Sequence, residues 1–219
     1  TMPDCHAFCT DLEQAKKELI TRFKLCMQIL EEIGLSKRDY EAAVRFTKDF
    51  YEENKDFIVS LVKIFGRSAL VEIWKEHFFY FRLKWDFNFV DNQDKAAALS
   101  TDQIDVENAK RYDIAYVDEK GEKRHPLILH CSPSGAIERC VYALLEKAYR
   151  EQQSGRPPIL PLWLSPTQVR VIPMSDKYLE HSEKLADGIG EHGIRVDVDD
   201  RTLTLQKRIR EAEMEWVPY

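Results

Sequence analysis

No run of about 18 apolar residues occurs in this 219-residue chain, so no transmembrane helix is encoded. The opening residues lack a basic segment followed by an apolar one, so no signal peptide is visible, and a cytoplasmic protein with no membrane partner is expected. Basic residues are not in excess: 32 Lys and Arg against 38 Asp and Glu give a formal charge of −6. That argues against a general nucleic-acid coat and leaves any RNA contact to local Lys/Arg clusters. Cysteine is odd in number, at positions 5, 9, 26, 131 and 140, which reads as reduced thiols rather than a disulfide framework. Cys5, His6 and Cys9 match no zinc-finger spacing, and the two thiols are expected as small buried hydrophobes. Neither an internal repeat nor a low-complexity tract is present. The length suits one or two domains with a real core.

What is present centres on residues 127–139, Leu-Ile-Leu-His-Cys-Ser-Pro-Ser-Gly-Ala-Ile-Glu-Arg, followed by an apolar-periodic run at 140–148. A short strand at 126–129 delivers His130, a Ser-Pro-Ser-Gly turn follows, and a helix opens with Glu138 and Arg139 in its first turns. The positive end of a helix dipole is a poor place for a cation unless an anion sits over it, such as a phosphate. On spacing alone, a solvated Arg139 pairing with Glu138 is equally compatible.

Along the chain, residues 1–4 read as the end of a strand. Residues 10–13 have capping-box form and open an amphipathic helix, with Leu12, Leu19, Ile20, Phe23, Met27, Leu30 and Ile33 in helical spacing and Gly34 as its stop. Residues 40–46 predict a strand, 54–65 a helix and 68–76 a second short helix. The run 78–89 is the strongest strand candidate, with apolar residues at every odd position from 79 and Arg82, Lys84, Asp86 and Asn88 on the other face. Such a charged row is costly on an interior strand unless it lines a site; an edge strand with one wet face is the alternative. Residues 91–100 predict a loop or short helix, and 101–106 a strand presenting Thr101, Gln103 and Asp105 together. Segments 111–117 and 126–131 around the turn 118–123 predict a hairpin. A helix at 137–151 ends in a linker at 152–158. Strand 168–173, helix 176–189, strand 194–198 and helix 205–216 then alternate as in a small α/β domain. Arg201, Lys207, Arg208 and Arg210 form a basic cluster there, although a solvated helix face would look the same.

The Gly135-x-x-Glu138-Arg139 ending resembles the third signature motif of class II aminoacyl-tRNA synthetases, whose arginine clamps the ATP phosphates. His130, nine residues earlier, narrows the resemblance to threonyl-tRNA synthetases of archaeal type. Residues 1–9 resemble the tail of that family's second motif and 101–105 another active-site strand, so the resemblance runs along the whole chain. It implies an α+β fold: the later part of a class II catalytic domain at 1–152, an antiparallel sheet flanked by helices. A linker at 153–160 and the first part of a small α/β anticodon-binding domain at 161–219 would follow. The implied activity is ATP-dependent activation of L-threonine and its transfer to tRNA(Thr), with Zn2+ and ATP with Mg2+ as cofactors and a homodimer in the complete enzyme. The 219 residues are implied to be a piece that is inactive alone, with the zinc's third ligand, a cysteine, lying before Thr1. No editing domain is recognisable.

By the same resemblance, Arg139 and Lys84 are catalytic, and Asp4, Tyr80 and Gln103 bind the substrate. Thr101, Gln103 and Arg139 bind the nucleotide, His6 and His130 hold zinc, and Arg201 and Glu211 contact the anticodon. Ala98 departs from the family pattern, where a polar residue often meets ATP. The competing expectation is a synthetase-derived tRNA-binding or regulatory module without catalysis.

Overall fold

The computed structural model describes residues 1–77 and 79–219. Phe78, expected as the first residue of a strand, lies outside the described residues. Two compact units are present, Thr1–Ala143 and Leu144–Tyr219.

In chain order the first unit has β1 (Cys5–Cys9), α1 (Leu12–Glu32), β2 (Glu41–Thr47), α2 (Lys48–Phe65), β3 (Ala69–Trp74), β4 (Phe81–Val90) and β5 (Ala96–Asp105). It continues with α3 (Asn108–Arg111), β6 (Tyr116–Val117), β7 (Lys123–Arg124), β8 (Leu127–Ser132) and the start of α4 (Ile137–Gln153), inside which the two units divide. Six strands form one sheet in the order β1-β8-β5-β4-β2-β3. All neighbours are antiparallel except β2 and β3, which run parallel with α2 as the crossover.

The apolar face of this sheet is covered because α1 carries one apolar stripe. Ala15, Leu19, Phe23, Cys26 and Leu30 are buried, and the Phe23 ring meets Trp85 edge-on at 4.7 Å and Phe87 at 5.0 Å. Phe65 of α2 and Tyr40 close on Phe87 from the other side, at 5.7 and 4.9 Å. Burying such a side chain contributes roughly 1.5–3 kcal/mol, so β4, with Leu83, Trp85, Phe87 and Phe89 all fully buried, anchors the core.

Several local expectations change in three dimensions. The cap of α1 sits one residue later than expected: Asp11 accepts from the Gln14 N–H at 2.8 Å, and the Gln14 side chain accepts from the Thr10 N–H at 2.7 Å. α2 begins at Lys48, not 54, and Asn54 marks a kink within it at φ −131°. Residues 68–76 form no helix but strand β3, because Gly66 ends α2 in the left-handed region and a Val- and Ile-containing segment then finds the open edge of β2. Of the segment 91–100, expected as a loop or short helix, residues 96–100 belong to β5; pairing with β4 overrides the helical preference of Ala96–98. The hairpin is shorter than expected, β6 with β7 only, and β8 pairs instead with β1 and β5. Residues 1–4 precede β1 rather than ending a strand, and Cys5 is exposed while Cys9 is buried.

The second unit contains a 3-10 turn at Leu162–Leu164, β9 (Val169–Val171), a 3-10 turn at Asp176–Tyr178, α5 (Leu179–Gly190), β10 (Val196–Val198) and α6 (Leu205–Met214). β9 and β10 are parallel with α5 between them in sequence, a βαβ unit as the alternation predicted.

Candidate active site

The sheet register lines up a single transverse row of polar side chains. His6 of β1 is opposite His130 of β8, His130 opposite Gln103 of β5, Gln103 opposite Lys84 of β4, and Lys84 opposite Arg45 of β2. Residues one step along, among them Cys131, Asp102 and Trp85, point the other way into the core, since successive side chains alternate faces. The charged face of β4 therefore belongs to an interior strand, paired with β2 and β5, and not to an edge strand.

At one end, the His6 and His130 rings stand edge-on with centroids 4.7 Å apart. His130 Nε2 is 2.8 Å from the Asp105 carboxylate. Burial alone would push Asp105 up. The N–H groups of Asn108 and Glu107 and the side chains of His130 and Asn108 nevertheless hold it below the ordinary carboxylate value. An ionised Asp105 cannot donate, so the proton in this hydrogen bond comes from His130 Nε2, which leaves Nδ1 as the ring nitrogen that could face a metal. Two adjacent imidazoles, one oriented by a carboxylate, suit two nitrogen ligands of a zinc centre. Among the described residues no group of three or more His, Cys, Asp and Glu is arranged to hold a metal.

Next in the row, the Gln103 amide donates to the Tyr80 hydroxyl at 2.7 Å, and the Tyr80 ring lies 5.9 Å from His130. Exposed Asp4 stands beside His6, with Oδ1 3.8 Å from Nδ1. Lys84 is half-buried; burial, and then the Arg45 guanidinium, lower its pKa below that of an ordinary lysine. The Thr101 hydroxyl donates to the Trp85 carbonyl at 3.0 Å, which uses its proton on the strand itself.

Arg139 reaches back to β5, donating from Nη1 to the Ala98 carbonyl at 3.0 Å. Position 98 thus meets the helix arginine through its backbone. The turn before α4 makes this possible: Gly135 has φ +78°, and a Cβ there would lie 2.4 Å from the Leu99 carbonyl oxygen. Gly135→Ala is expected to destabilise the protein by about 2 kcal/mol or more, from the left-handed backbone and the clash with a strand that cannot yield. Urea unfolding checks this; an unchanged midpoint would show that the turn relaxes freely.

In the second unit, Arg201 and Glu211 come together as a pair, Nη1 to Oε2 at 2.6 Å. Arg201 also grips both oxygens of Asp199, at 2.8 and 2.6 Å, and its hydrogen bonds hold Asp199 below the usual carboxylate value. Of the expected basic cluster, Arg201 is taken up by Asp199 and Glu211 and Arg208 turns inward. Arg208 is buried and donates to the Pro173 carbonyl after β9 and the Asp199 carbonyl after β10, both at 2.7 Å, satisfying one carbonyl in each of the two loops.

Three site-face residues escaped sequence reasoning as candidates: Arg45, Asp86 and Asp105. Asp86 and Asp105 were legible on the polar faces of their strands, but Arg45 lies on a strand whose register the sequence does not state.

The tRNA synthetase class II core domain family (G, H, P, S and T) matches residues 1–148, and an anticodon binding domain matches 168–219. The chain belongs to the class II tRNA synthetase core family. Along all 219 residues it is similar to the threonine--tRNA ligases of Pyrococcus horikoshii, at 61% identity, and Nitrosopumilus maritimus, at 58%. It spans about a third of their length, 35% in both cases. Among solved structures, a threonyl-tRNA synthetase from Aeropyrum pernix shares the fold at TM-score 0.72 and 20% identity, over 100% of this chain and 51% of that one. The RNA binding domain of threonyl-tRNA synthetase from Cryptosporidium parvum does so at 0.71 and 24%, over 98% and 53%.

Proposed function

We propose that the protein activates L-threonine with ATP and Mg2+ and transfers it to tRNA(Thr), as part of a longer polypeptide that works as a cytoplasmic homodimer. The observation that carries this reading is the row His6, His130, Gln103 and Lys84 on one sheet face, backed by Asp105. No described helix is long and apolar enough to cross a membrane. We assign 1–152 to the catalytic domain, 153–160 to a linker and 161–219 to the anticodon-binding domain.

Activation is an in-line attack of the amino-acid carboxylate on the α-phosphate, so the protein mainly positions reactants and neutralises charge. Arg139, tethered by one nitrogen to β5, presents the rest of its planar fork to phosphate oxygens. Lys84 sits in the same row and offers an ammonium to the reacting carboxylate and phosphate. Thr101 and Gln103 line the nucleotide side of β5. Gln103, Tyr80 and Asp4 surround the two histidines, where they would hold the amino-acid side chain, Asp4 accepting from its hydroxyl. His6 and His130 would hold zinc, which when bound supplies a Lewis-acid seat for the substrate's amino and hydroxyl groups. ATP–pyrophosphate exchange by the full-length protein tests the reading: exchange driven by threonine is expected, and its absence would leave a tRNA-binding module without catalysis.

We further assign the Arg201–Glu211 pair to the anticodon. Arg201→Ala is expected to weaken binding of the cognate tRNA about tenfold to a hundredfold while leaving ATP–pyrophosphate exchange unchanged. Equal losses in both assays would make Arg201 a structural residue.

A further inference from the structure

Beyond Lys84 the row carries charges whose arrangement is not explained by substrate contact. Arg45 and Lys84 sit directly opposite each other on β2 and β4. Two cations in that relation repel. Asp86, two residues along β4 on the same face and only 3% exposed, puts a carboxylate between them. One of its oxygens pairs with Arg45 Nη1, and the other lies 3.4 Å from Lys84 Nζ. Arg45 is held from its far side by Glu72 of β3, Nε to Oε2 at 2.9 Å, and Glu72 accepts from the Trp74 indole at 2.6 Å. Two cations and two anions thus form a neutral chain that runs inward from the sheet edge and ends on Lys84.

We propose that Asp86, braced by Arg45 and Glu72, is a positioning residue that fixes the Lys84 ammonium at its place in the row. The inference deepens the reading of Lys84 given above and rests on it. Lysine is a point charge on a flexible four-carbon stem, so its location has to be imposed from outside. Asp86 does this from its own strand, where it is too buried to be replaced by water at no cost. The charged and titratable groups around Lys84 are few. Arg45 comes from β2 and Asp86 from β4. Arg82, also on β4, is engaged by Asp49 and Glu53 of α2. On the β5 side stands neutral Gln103, with Tyr80 behind it. Asp86 is therefore the anion closest at hand to offset Arg45.

Two measurements on the full-length protein test this. The first is competitive acylation of lysines as a function of pH, read on the peptide that contains Lys84; it needs neither substrate nor activity. Asp86→Asn should make Lys84 reactive at a pH lower by about one unit or more, since an opposite charge is lost while Arg45 remains. Arg45→Gln, at a half-buried site, should shift it the other way. If Asp86→Asn does not fold, the Arg45→Gln arm decides alone: an upward shift supports the inference and an unchanged profile overturns it. The second is ATP–pyrophosphate exchange with threonine. Asp86→Asn should lower kcat about a hundredfold, the effect of a misplaced reacting group, and Asp86→Glu should recover part of it. In a Lys84→Met background, Asp86→Asn should add nothing, and losses that multiply would overturn the inference. A wild-type protein without exchange activity would refute the proposed function while leaving the acylation result standing.

Discussion

Replacing Arg22 with methionine and Asp102 with valine together should raise the stability of the protein at about pH 8 by about 1–4 kcal/mol, measured by urea unfolding. The two form a buried ion pair beneath the functional row. Arg22 is 3% and Asp102 0% exposed, with Nη1 and Oδ2 3.5 Å apart. Burial pushes Asp102 up to about 7, against the pull of Arg22 and of the Gln103 N–H. The desolvation cost of the carboxylate therefore exceeds what its partner returns. A folded-state value above the ordinary 3.8 means that Asp102 contributes stability below about that pH and loses it as pH rises through about 7. The gap between the two values corresponds to on the order of 4 kcal/mol. The double variant should lack this pH dependence, so its advantage over wild type shrinks toward pH 5. Arg22→Met alone should instead cost about 3–5 kcal/mol at the higher pH, because it strands a buried carboxylate and frees the Cys5 carbonyl that Arg22 holds at 3.0 Å. A double variant no more stable than wild type at about pH 8 would refute the account.

With His6 and His130 holding zinc as proposed, chelation or His130→Ala should collapse discrimination between threonine and valine in ATP–pyrophosphate exchange by the full-length protein. The two amino acids are nearly isosteric. A pocket that reads shape alone separates such pairs by about a hundredfold, whereas one that binds the hydroxyl rejects the analogue lacking it by about 10⁴–10⁵. The two imidazoles at 4.7 Å and the Asp105 brace behind His130 are the groups from which that selectivity would come. Asp105→Asn should weaken metal binding by about 10–100-fold without abolishing it, because it loosens the orientation of His130 rather than removing a ligand. Metal content and the two kcat/KM values are the measurements. Unchanged selectivity in metal-free protein would place the discrimination elsewhere.

The elements written in local periodicity were legible in the chain. α1 carries its apolar stripe at three- and four-residue spacing, and β4 alternates so regularly that its buried and polar faces read off directly. The α5–β10–α6 run announces itself by turn residues between short periodic segments. The resemblance to family motifs singled out His6, His130 and Arg139, and the fold brings the two histidines together across 124 residues of sequence. What only the tertiary structure decided was pairing. Residues 96–98 are alanines with a helical preference, and 69–74 are too short to announce a strand by themselves; both became strands because a neighbour offered an edge. The cap that moved by one residue and the hairpin that shortened are the same effect on a smaller scale. Register decided the candidate site as well: a one-residue slip of β8 against β1 would turn His130 into the core and Cys131 onto the polar face. Arg45 and Asp86 meet only because β2 and β4 pair as they do. Hydrogen bonding across a sheet joins residues far apart in sequence, and local residue patterns do not specify that distance.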